Sequence, residues 1–199
     1  MVTGSALRIG VLLFDDVEEL DAVGPFQVLA AWAEHSALRP EVLTFSRDGA
    51  PVRAAHGLHL LPDRSARQIG TLHALVHPGG RGTRRLARDP DHLAWIRDLR
   101  RTTPLVTSVC TGALVLAAAG VLAGRPATTH RDAFDELLAL DPSVQPDRVA
   151  RFVDDGDVVT SAGVSAGIDM ALHLVARLDG VEAARRVRRA IQYDPAPPV

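Results

Sequence analysis

The stretch from Pro104 to Gly120 joins a buried strand to a buried helix and leaves no residues for a loop. Leu105 to Val109 is a short apolar run rich in β-branched residues, which is typical of a buried strand. Thr111 to Ala119 is rich in alanine and leucine, which is typical of a buried helix. Cys110, the only cysteine of the chain, lies between them. A strand that turns at once into a helix is the geometry of a nucleophile elbow, which predicts an α/β fold with Cys110 at the carboxyl edge of the sheet.

Two interpretations of Cys110 are open. A free cysteine is most often a small buried apolar side chain, but a residue at such an elbow is pushed out of the sheet. The helix N-terminus beside Cys110 carries partial positive charge, so we expect the pKa of the thiol to be lowered. Gly112 has no side chain to crowd the turn. The elbow therefore favours a nucleophile over a core cysteine.

The composition limits the classes of protein to which the chain can belong. Its 199 residues, 47% of them hydrophobic, predict one globular domain over residues 1–199. A net charge of −2 gives no field that would recruit nucleic acid or an anionic membrane. A single cysteine cannot form an intramolecular disulfide, and no cysteine and histidine spacing typical of zinc is present. The apolar run Ile9 to Phe14 is too short for a signal peptide or a membrane span, so we expect a cytoplasmic protein.

Strand and helix signals alternate along the chain. Predicted strands cover Leu7 to Phe14, Pro40 to Phe45, the residues from Ala74 to a glycine-rich turn, Leu105 to Val109, and a hairpin of Val149 to Val153 with Asp157 to Ser161. Predicted helices run from about Pro25 to Ala33, Asp89 to Arg101, Thr111 to Ala119, Ala133 to Leu140, Ile168 to Leu178 and Val181 to Ile191. A small hairpin is predicted within Ala50 to Leu61, and the tail Pro195 to Pro198 is predicted to be extended. The alternation predicts a mostly parallel sheet with helices on both faces.

Residues from three predicted loops would meet at the carboxyl edge of this sheet. Asp21 follows the first strand, Gly79 and Gly80 follow the strand that begins at Ala74, and Cys110 follows the next one. Because sites in open α/β sheets lie at the carboxyl ends of strands, this coincidence predicts an enzyme. From its position alone, Asp21 is better interpreted as a helix cap than as a catalytic group. The amides of the two glycines are candidates for an oxyanion site, since their turn lacks the spacing of nucleotide-binding loops.

Six motifs, spread over nearly the whole chain, resemble those of the ThiJ/PfpI superfamily and occur in the same order. They are Gly10-Val-Leu-Leu-Phe14, Leu20-Asp-Ala-Val-Gly-Pro25, Pro78-Gly-Gly80, Ser108-Val-Cys-Thr-Gly112, Ala127-Thr-Thr-His130 and Ser161-Ala-Gly-Val-Ser-Ala-Gly-Ile-Asp169. The resemblance implies a flavodoxin-like three-layer sandwich related to the class I glutamine amidotransferases.

Within that superfamily the chain resembles the isonitrile hydratases, which add water to an isonitrile to give an N-substituted formamide. Asp21 stands where many members have Glu, and Thr111 stands where the protease-like members have His. The resemblance implies that Cys110 is the nucleophile, with Asp21 as acid and base. It also implies a homodimer, a small-molecule substrate and no metal or organic cofactor. Polar atoms of the substrate and intermediates would then be held by Thr111, Gly79, Gly80, Gly112 and His130.

Two residues leave the substrate open. Arg131 replaces the aromatic residue expected after Thr128-Thr129-His130, and Arg81 is bulky and charged within the glycine-rich turn. From the residues alone, His130 is interpreted slightly better as a satisfied, half-buried side chain than as a site residue. The chemistry of the elbow therefore follows more directly from the sequence than the identity of the molecule on which it acts.

Other functions remain open for the same cysteine. One alternative is a glyoxalase-like or amidase-like hydrolase or lyase that uses the same thiolate. Another is a non-enzymatic sensor in which Cys110 is oxidised beside Asp21. The Ser108-Val-Cys-Thr-Gly112 pattern also resembles the N-terminal half of AraC-type regulators, which continue into a helix-turn-helix domain. The sequence ends at Val199 without such a part, so we expect no DNA binding.

Overall fold

One seven-stranded sheet organises the protein, which a computed structural model describes from residue 7 to residue 194. The strands are β1 (Arg8–Leu12), β2 (Glu41–Ser46), β3 (Val52–Arg53), β4 (His59–Leu60), β5 (Arg64–Ser65), β6 (Ala74–His77), β7 (Leu105–Val109), β8 (Pro126–Ala127), β9 (Gln145–Pro146), β10 (Phe152–Asp154) and β11 (Val158–Ser161). The predicted tail Pro195 to Pro198 lies outside the described residues.

The strand order of the central sheet is β10-β11-β7-β6-β1-β2-β5. Its neighbours run parallel except for β10, which is antiparallel to β11. β6 and β7 are buried at every position, as expected for strands covered on both faces. β3 and β4 form a small antiparallel hairpin, and β8 pairs with β9. The mostly parallel sheet is therefore confirmed, as are the two predicted hairpins, which are β3–β4 and β10–β11.

Helices cover both faces of the sheet. They are α1 (Glu19–His35), α2 (Thr83–Leu86), α3 (Pro90–Thr102), α4 (Gly112–Ala118), α5 (Phe134–Leu140), α6 (Ala166–Asp179) and α7 (Val181–Ala190). α1, α6 and α7 pack together on one face, and α2, α3 and α5 pack against α4 on the other. This is the predicted three-layer, flavodoxin-like sandwich. None of the helices in the described part of the chain is long and apolar enough to cross a membrane.

The start of α1 differs from the prediction. The helix begins at Glu19 rather than near Pro25, so Pro25 lies inside it and Asp21 lies in its first turn. Acidic residues stabilise the first turn of a helix, whereas proline removes one backbone donor from the interior. Pro25 is buried, and packing of the buried side of α1 offsets the missing hydrogen bond. The four-residue helix α2 was not predicted, because it is too short to show a helical period.

Candidate active site

Cys110 lies at a strained turn between β7 and α4. Its φ angle is +56°, in the left-handed region that non-glycine residues rarely adopt. The turn is held on both sides, because the Cys110 N–H donates to the carbonyls of Ser161 and Ala162 (both 3.1 Å) and the Thr129 hydroxyl donates to the Cys110 carbonyl (2.8 Å). This is the predicted elbow, and its strain is kept by neighbouring strands and loops.

Gly112 allows α4 to start directly against the end of β6. A Cβ atom at this position would overlap the carbonyl oxygen of His77 and would lie 2.8 Å from that of Pro78. The backbones therefore approach more closely than any side chain would permit. The role predicted for Gly112 at the elbow is the one that the structure gives it.

The Asp21 carboxyl group lies within the site and does not cap α1. Glu18 is the residue at the cap position, and Asp21 is fully buried. The Gly79 N–H donates to Oδ2 of Asp21 (2.9 Å), and the carboxyl group lies close enough to the Cys110 side chain for each group to shift the pKa of the other. Oδ1 has no hydrogen-bond partner within residues 7–194. A Cβ at Gly79 would lie 2.6 Å from Oδ2, so only glycine fits between this carboxyl group and the elbow.

Thr111 is tied to the neighbouring glycine. The Gly80 N–H donates to Oγ1 of Thr111 (2.9 Å), and the Thr111 hydroxyl donates to the Gly80 carbonyl at the longer distance of 3.2 Å. Gly80 has a φ angle of +127°, and a Cβ there would overlap the Glu18 nitrogen. The amides of Gly79 and Gly80, expected as free oxyanion donors, instead hold Asp21 and Thr111 in place.

The ionisation of the pair differs from the prediction for the thiol. Burial raises the pKa of Asp21 from 3.8 to about 7, although the Gly79 N–H favours the carboxylate. Burial, followed by the charge of Asp21, raises the pKa of the Cys110 thiol from 9.0 to about 12. Hydrogen bonds from the backbones of Thr111 and Val164 lower the pKa of the thiol but do not outweigh burial. The predicted lowering is therefore wrong, and Cys110 is only 6% exposed.

His130 lies beside the site and outside its hydrogen-bond network. Its Nδ1 accepts from the Asp132 N–H (3.2 Å), and its ring lies against Gly163. His130 lines a cleft of about 530 Å³ with Arg131 and Val164. The Val164 backbone lies close enough to the Cys110 thiol to lower its pKa, so this cleft borders the nucleophile. Arg81 is exposed.

Two residues of the site were not singled out from the sequence. The Thr129 hydroxyl donates to the carbonyl of the elbow. Val164 has a φ angle of +44°, and its backbone lowers the pKa of the Cys110 thiol. Both lie within the motifs that carry the family resemblance. Neither residue type nor spacing marks them, because each acts through one contact with Cys110 across a large separation in the chain.

Glu18, Glu19 and His56 form a surface cluster that spacing did not reveal. Their carboxylate and imidazole ligand atoms all lie within 4.8 Å of one another, which is close enough to hold an ion. No other such group is found within residues 7–194. Glu19 already accepts from the His56 N–H (2.8 Å) and lies 2.9 Å from its Nδ1. These contacts join the β3–β4 hairpin to the start of α1.

The geometry of the chain is shared with known proteins. Residues 7–177 match the DJ-1/PfpI family. The chain is 42% identical over 193 residues to an isonitrile hydratase of Pseudomonas putida, covering 97% of this chain and 81% of that protein. It is 34% identical over 142 residues to the HTH-type transcriptional regulator CdhR of Pseudomonas aeruginosa, covering 71% of this chain and 42% of the regulator. A crystal structure of a ThiJ/PfpI family protein from Pseudomonas syringae has a TM-score of 0.88 and 31% identity, covering 98% of this chain and 78% of that one.

Proposed function

The chain belongs to the DJ-1/PfpI family, and from that premise we propose that it is a cysteine-dependent hydratase. It adds water to an isonitrile, R–NC, and releases the N-substituted formamide. The observation that carries the proposal is the buried pair of Cys110 and Asp21 at the strand-to-helix turn, where each group shifts the pKa of the other. The similarity to the isonitrile hydratase of Pseudomonas putida supports the choice of substrate class.

Asp21 is the base of the first step. With a pKa of about 7, its carboxyl group is partly ionised at neutral pH and can take the proton of the thiol. The Cys110 sulfur then forms a bond to the terminal carbon of R–NC. The carbon receives the proton from the Asp21 carboxylic acid, and the product is the thioimidate Cys–S–CH=N–R. The high pKa of the thiol is compatible with this step, because deprotonation accompanies attack.

Water completes the reaction. The Asp21 carboxylate, restored by the first step, takes a proton from a water molecule as the water oxygen attacks the thioimidate carbon, and the Asp21 carboxylic acid then gives this proton to the nitrogen. The resulting adduct, Cys–S–CH(OH)–NH–R, collapses to R–NH–CHO as the carbon–sulfur bond breaks. The hydroxyl proton returns to the sulfur, which regenerates the thiol. Water is the only other reactant, so this sequence uses no metal or organic cofactor.

Thr111 positions the nitrogen end of the substrate. Its Oγ1 accepts from the Gly80 N–H, which fixes the oxygen while the hydroxyl proton remains available. That proton is donated to the Gly80 carbonyl at 3.2 Å, a weak bond that a substrate nitrogen can replace. Gly79 and Gly80 support this role indirectly, since their amides hold the Asp21 and Thr111 side chains.

The proposal extends to the domain organisation, the location and the oligomeric state of the protein. The chain is one domain over residues 1–199 that acts on small molecules in the cytoplasm as a homodimer. Large apolar side chains stay exposed on α1 (Leu20 and Val23) and next to the β3–β4 hairpin (Leu58 and Leu61). The contacts between Glu19 and His56 join these two regions, so a second copy would cover both. Sedimentation equilibrium tests the dimer, and a monomer at micromolar concentration would contradict it.

A ligand or redox sensor is the second candidate. The similarity to CdhR favours it, although the chain spans less than half of that regulator's length. Reversible oxidation requires an accessible thiol with a low pKa. Cys110 is buried and its thiol pKa is raised, which favours the hydratase over the redox sensor.

The direct test is turnover of a simple alkyl isonitrile, such as cyclohexyl isocyanide, by the purified protein. We expect loss of the isonitrile with equal gain of N-cyclohexylformamide. Asp21→Asn is the informative variant, because it keeps a buried polar group but cannot transfer the proton. We expect it to lose hydration, while Asp169→Asn, which changes a carboxylate outside the site, retains it. Hydration by Asp21→Asn at the parental rate would contradict the mechanism.

A further inference from the structure

A second cleft lies at the carboxyl ends of β1 and β2, away from Cys110. It has a volume of about 830 Å³, within the range of pockets that hold small organic ligands. α2 and α3 form one wall, and the segments that follow β1, β2 and β5 form the other. None of Cys110, Asp21, Thr111, Gly79 and Gly80 lines it. We call it the Trp95 cleft, after the largest side chain in its lining.

Three arginines of the Trp95 cleft have unused hydrogen-bond donors. Arg47, Arg67 and Arg85 are exposed, and none forms an ion pair with a carboxylate of residues 7–194. Arg85 makes only a 3.4 Å contact with the Asp15 carbonyl. Each guanidinium offers five donors in a planar fork that fits a carboxylate or a phosphate.

The acidic residues of the cleft are held by the backbone instead. Asp15 accepts from the Arg53 N–H (2.9 Å), and Asp48 accepts from the Ala50 N–H (3.0 Å). Asp89 caps α3 by accepting from the N–H groups of Asp91 and His92. These carboxylates therefore accept hydrogen bonds from the backbone, whereas none of the three guanidiniums pairs with a carboxylate of residues 7–194. The cleft therefore favours an anionic ligand.

Trp95 provides a surface on which a ring can stack. The rings of Phe45 and His92 pack at steep angles to its indole (ring centroids 6.2 and 5.4 Å), which fixes its orientation. The Arg47 guanidinium lies over the indole, 5.8 Å from the ring centroid. His92 is only 4% exposed, and its Nε2 has no hydrogen-bond partner within the described residues. Planar guanidinium groups stack on aromatic rings, so Trp95 and Arg47 form a platform for a third planar group.

We propose that the Trp95 cleft binds a small aromatic compound that carries a phosphate or carboxylate group. The ring stacks on the platform of Trp95 and Arg47, and the anionic group is bound by Arg67 and Arg85. The site is independent of the reaction at Cys110 and needs no isonitrile.

Isothermal titration calorimetry with four related probes tests this proposal. The probes are 1-naphthyl phosphate, 1-naphthoate, the neutral 1-naphthamide and the cationic 1-naphthylmethylamine. We expect at least one of the two anions to bind at least tenfold more tightly than the amide and the amine, and its affinity to fall as salt is raised. The tighter anion distinguishes a phosphate ligand from a carboxylate ligand. Equal binding of anion and amide, or tighter binding of the amine, would overturn the proposal, as would no binding of either anion.

Variants assign the binding to the cleft. We expect the double variant Arg67→Gln, Arg85→Gln to weaken anion binding at least tenfold, and Trp95→Leu to weaken it similarly. Arg97→Gln is the matched control, because Arg97 lies on the same helix α3, is exposed and does not line the cleft. Cys110→Ala should bind the anion with parental affinity. Unchanged binding by the double variant, or loss of binding in Cys110→Ala, would place the anion elsewhere and overturn the assignment.

Discussion

The Cys110 site and the Trp95 cleft lie at the same edge of the sheet but are built in opposite ways. In the Cys110 site, glycines bring backbones so close that no Cβ fits, and Asp21 and Thr111 are held by backbone amides. In the Trp95 cleft, long exposed side chains surround open space, and their charges have no carboxylate partners. The two proposals account for this difference, because atoms that react need to be fixed in advance, whereas a binding surface leaves its donors free for a ligand.

The two regions also respond oppositely to pH. Asp21 in the Cys110 site has a raised pKa, so between about pH 4 and 7 the folded protein holds a proton that the unfolded chain releases. Stability from this group falls as the pH rises. His92 in the Trp95 cleft is the reverse case, because burial lowers its pKa from 6.5 to about 3. As the pH falls, His92 gains a proton in the unfolded chain before it does in the folded protein, so stability is lost below about pH 6.5.

The largest effect that separates the two regions is loss of the nucleophile. We expect Cys110→Ala to reduce isonitrile hydration to the uncatalysed background, because no other cysteine is present in the chain. Formamide production followed by chromatography measures it. The Trp95 cleft has no part in this reaction, so Trp95→Leu should retain hydration. Formamide production by Cys110→Ala above background would remove the covalent step.

Thr111→Val tests the positioning hydroxyl with little change in side-chain shape. We expect the rate of hydration to fall about 10²–10³-fold, the cost typical of removing one donor to a developing charge. The Gly80 N–H also loses its acceptor. Alkylation of Cys110 by iodoacetamide should persist and serves as the control for an intact thiol. Parental turnover by Thr111→Val would show that the hydroxyl does not contact the reacting atoms.

Asp21→Asn tests the pH response of the Cys110 site through stability. Asn does not titrate, so we expect the variant to gain on the parent as the pH rises from 5 to 8. A gain on the order of 2 kcal/mol is expected. This is less than the full 1.36 kcal/mol for each pH unit between 5 and the folded-state pKa of about 7. Urea denaturation at both pH values measures it. A constant difference between the two proteins across this range would mean that Asp21 keeps an ordinary pKa.

His92→Phe tests the opposite response of the Trp95 cleft, with the smallest expected effect. His77, which contacts His92 edge-on, is also buried, and burial lowers its pKa to about 4. Because the lowered pKa of His77 still destabilises the folded variant at low pH, we expect it to recover only about 1 kcal/mol of the stability lost between pH 6.5 and 4.5. Denaturation at these two pH values is the measurement. The exposed His59→Phe is the control and should show no such recovery.

The fold was largely predictable because its signals are local. The β-branched run before Cys110, the Asp154-Asp155-Gly156 hairpin and the amphipathic stretch of α3 each form the predicted element. The start of α1 and the short helix α2 were not predicted. Both depend on packing: buried neighbours offset the proline inside α1, and α2 is one turn that follows from the path of the glycine-rich loop.

The membership of the site was predictable, but its internal contacts were not. Asp21, Gly79, Gly80 and Cys110 were expected at one edge of the sheet because each follows a predicted strand. The hydrogen bond between Gly79 and Asp21 joins residues 58 apart, and the bond between Gly80 and Thr111 joins residues 31 apart. No pattern in the sequence indicates which oxygen each amide meets. The amides of Gly79 and Gly80, which were expected to bind an oxyanion, therefore hold the side chains of Asp21 and Thr111 instead.

The amino-acid sequence by itself determined the order of strands and helices and the position of Cys110 at an elbow, because these follow from periodicity and turn chemistry over a few residues. Only the tertiary structure decided the ionisation of Cys110 and the arrangement of the Trp95 cleft. The pKa of a thiol depends on its burial and on charges brought from distant parts of the chain, and here burial outweighs the helix N-terminus that was expected to lower it. The cleft likewise gathers Arg47, Arg67, Arg85 and Trp95 from four separate elements, whose proximity exists only once the sheet has formed.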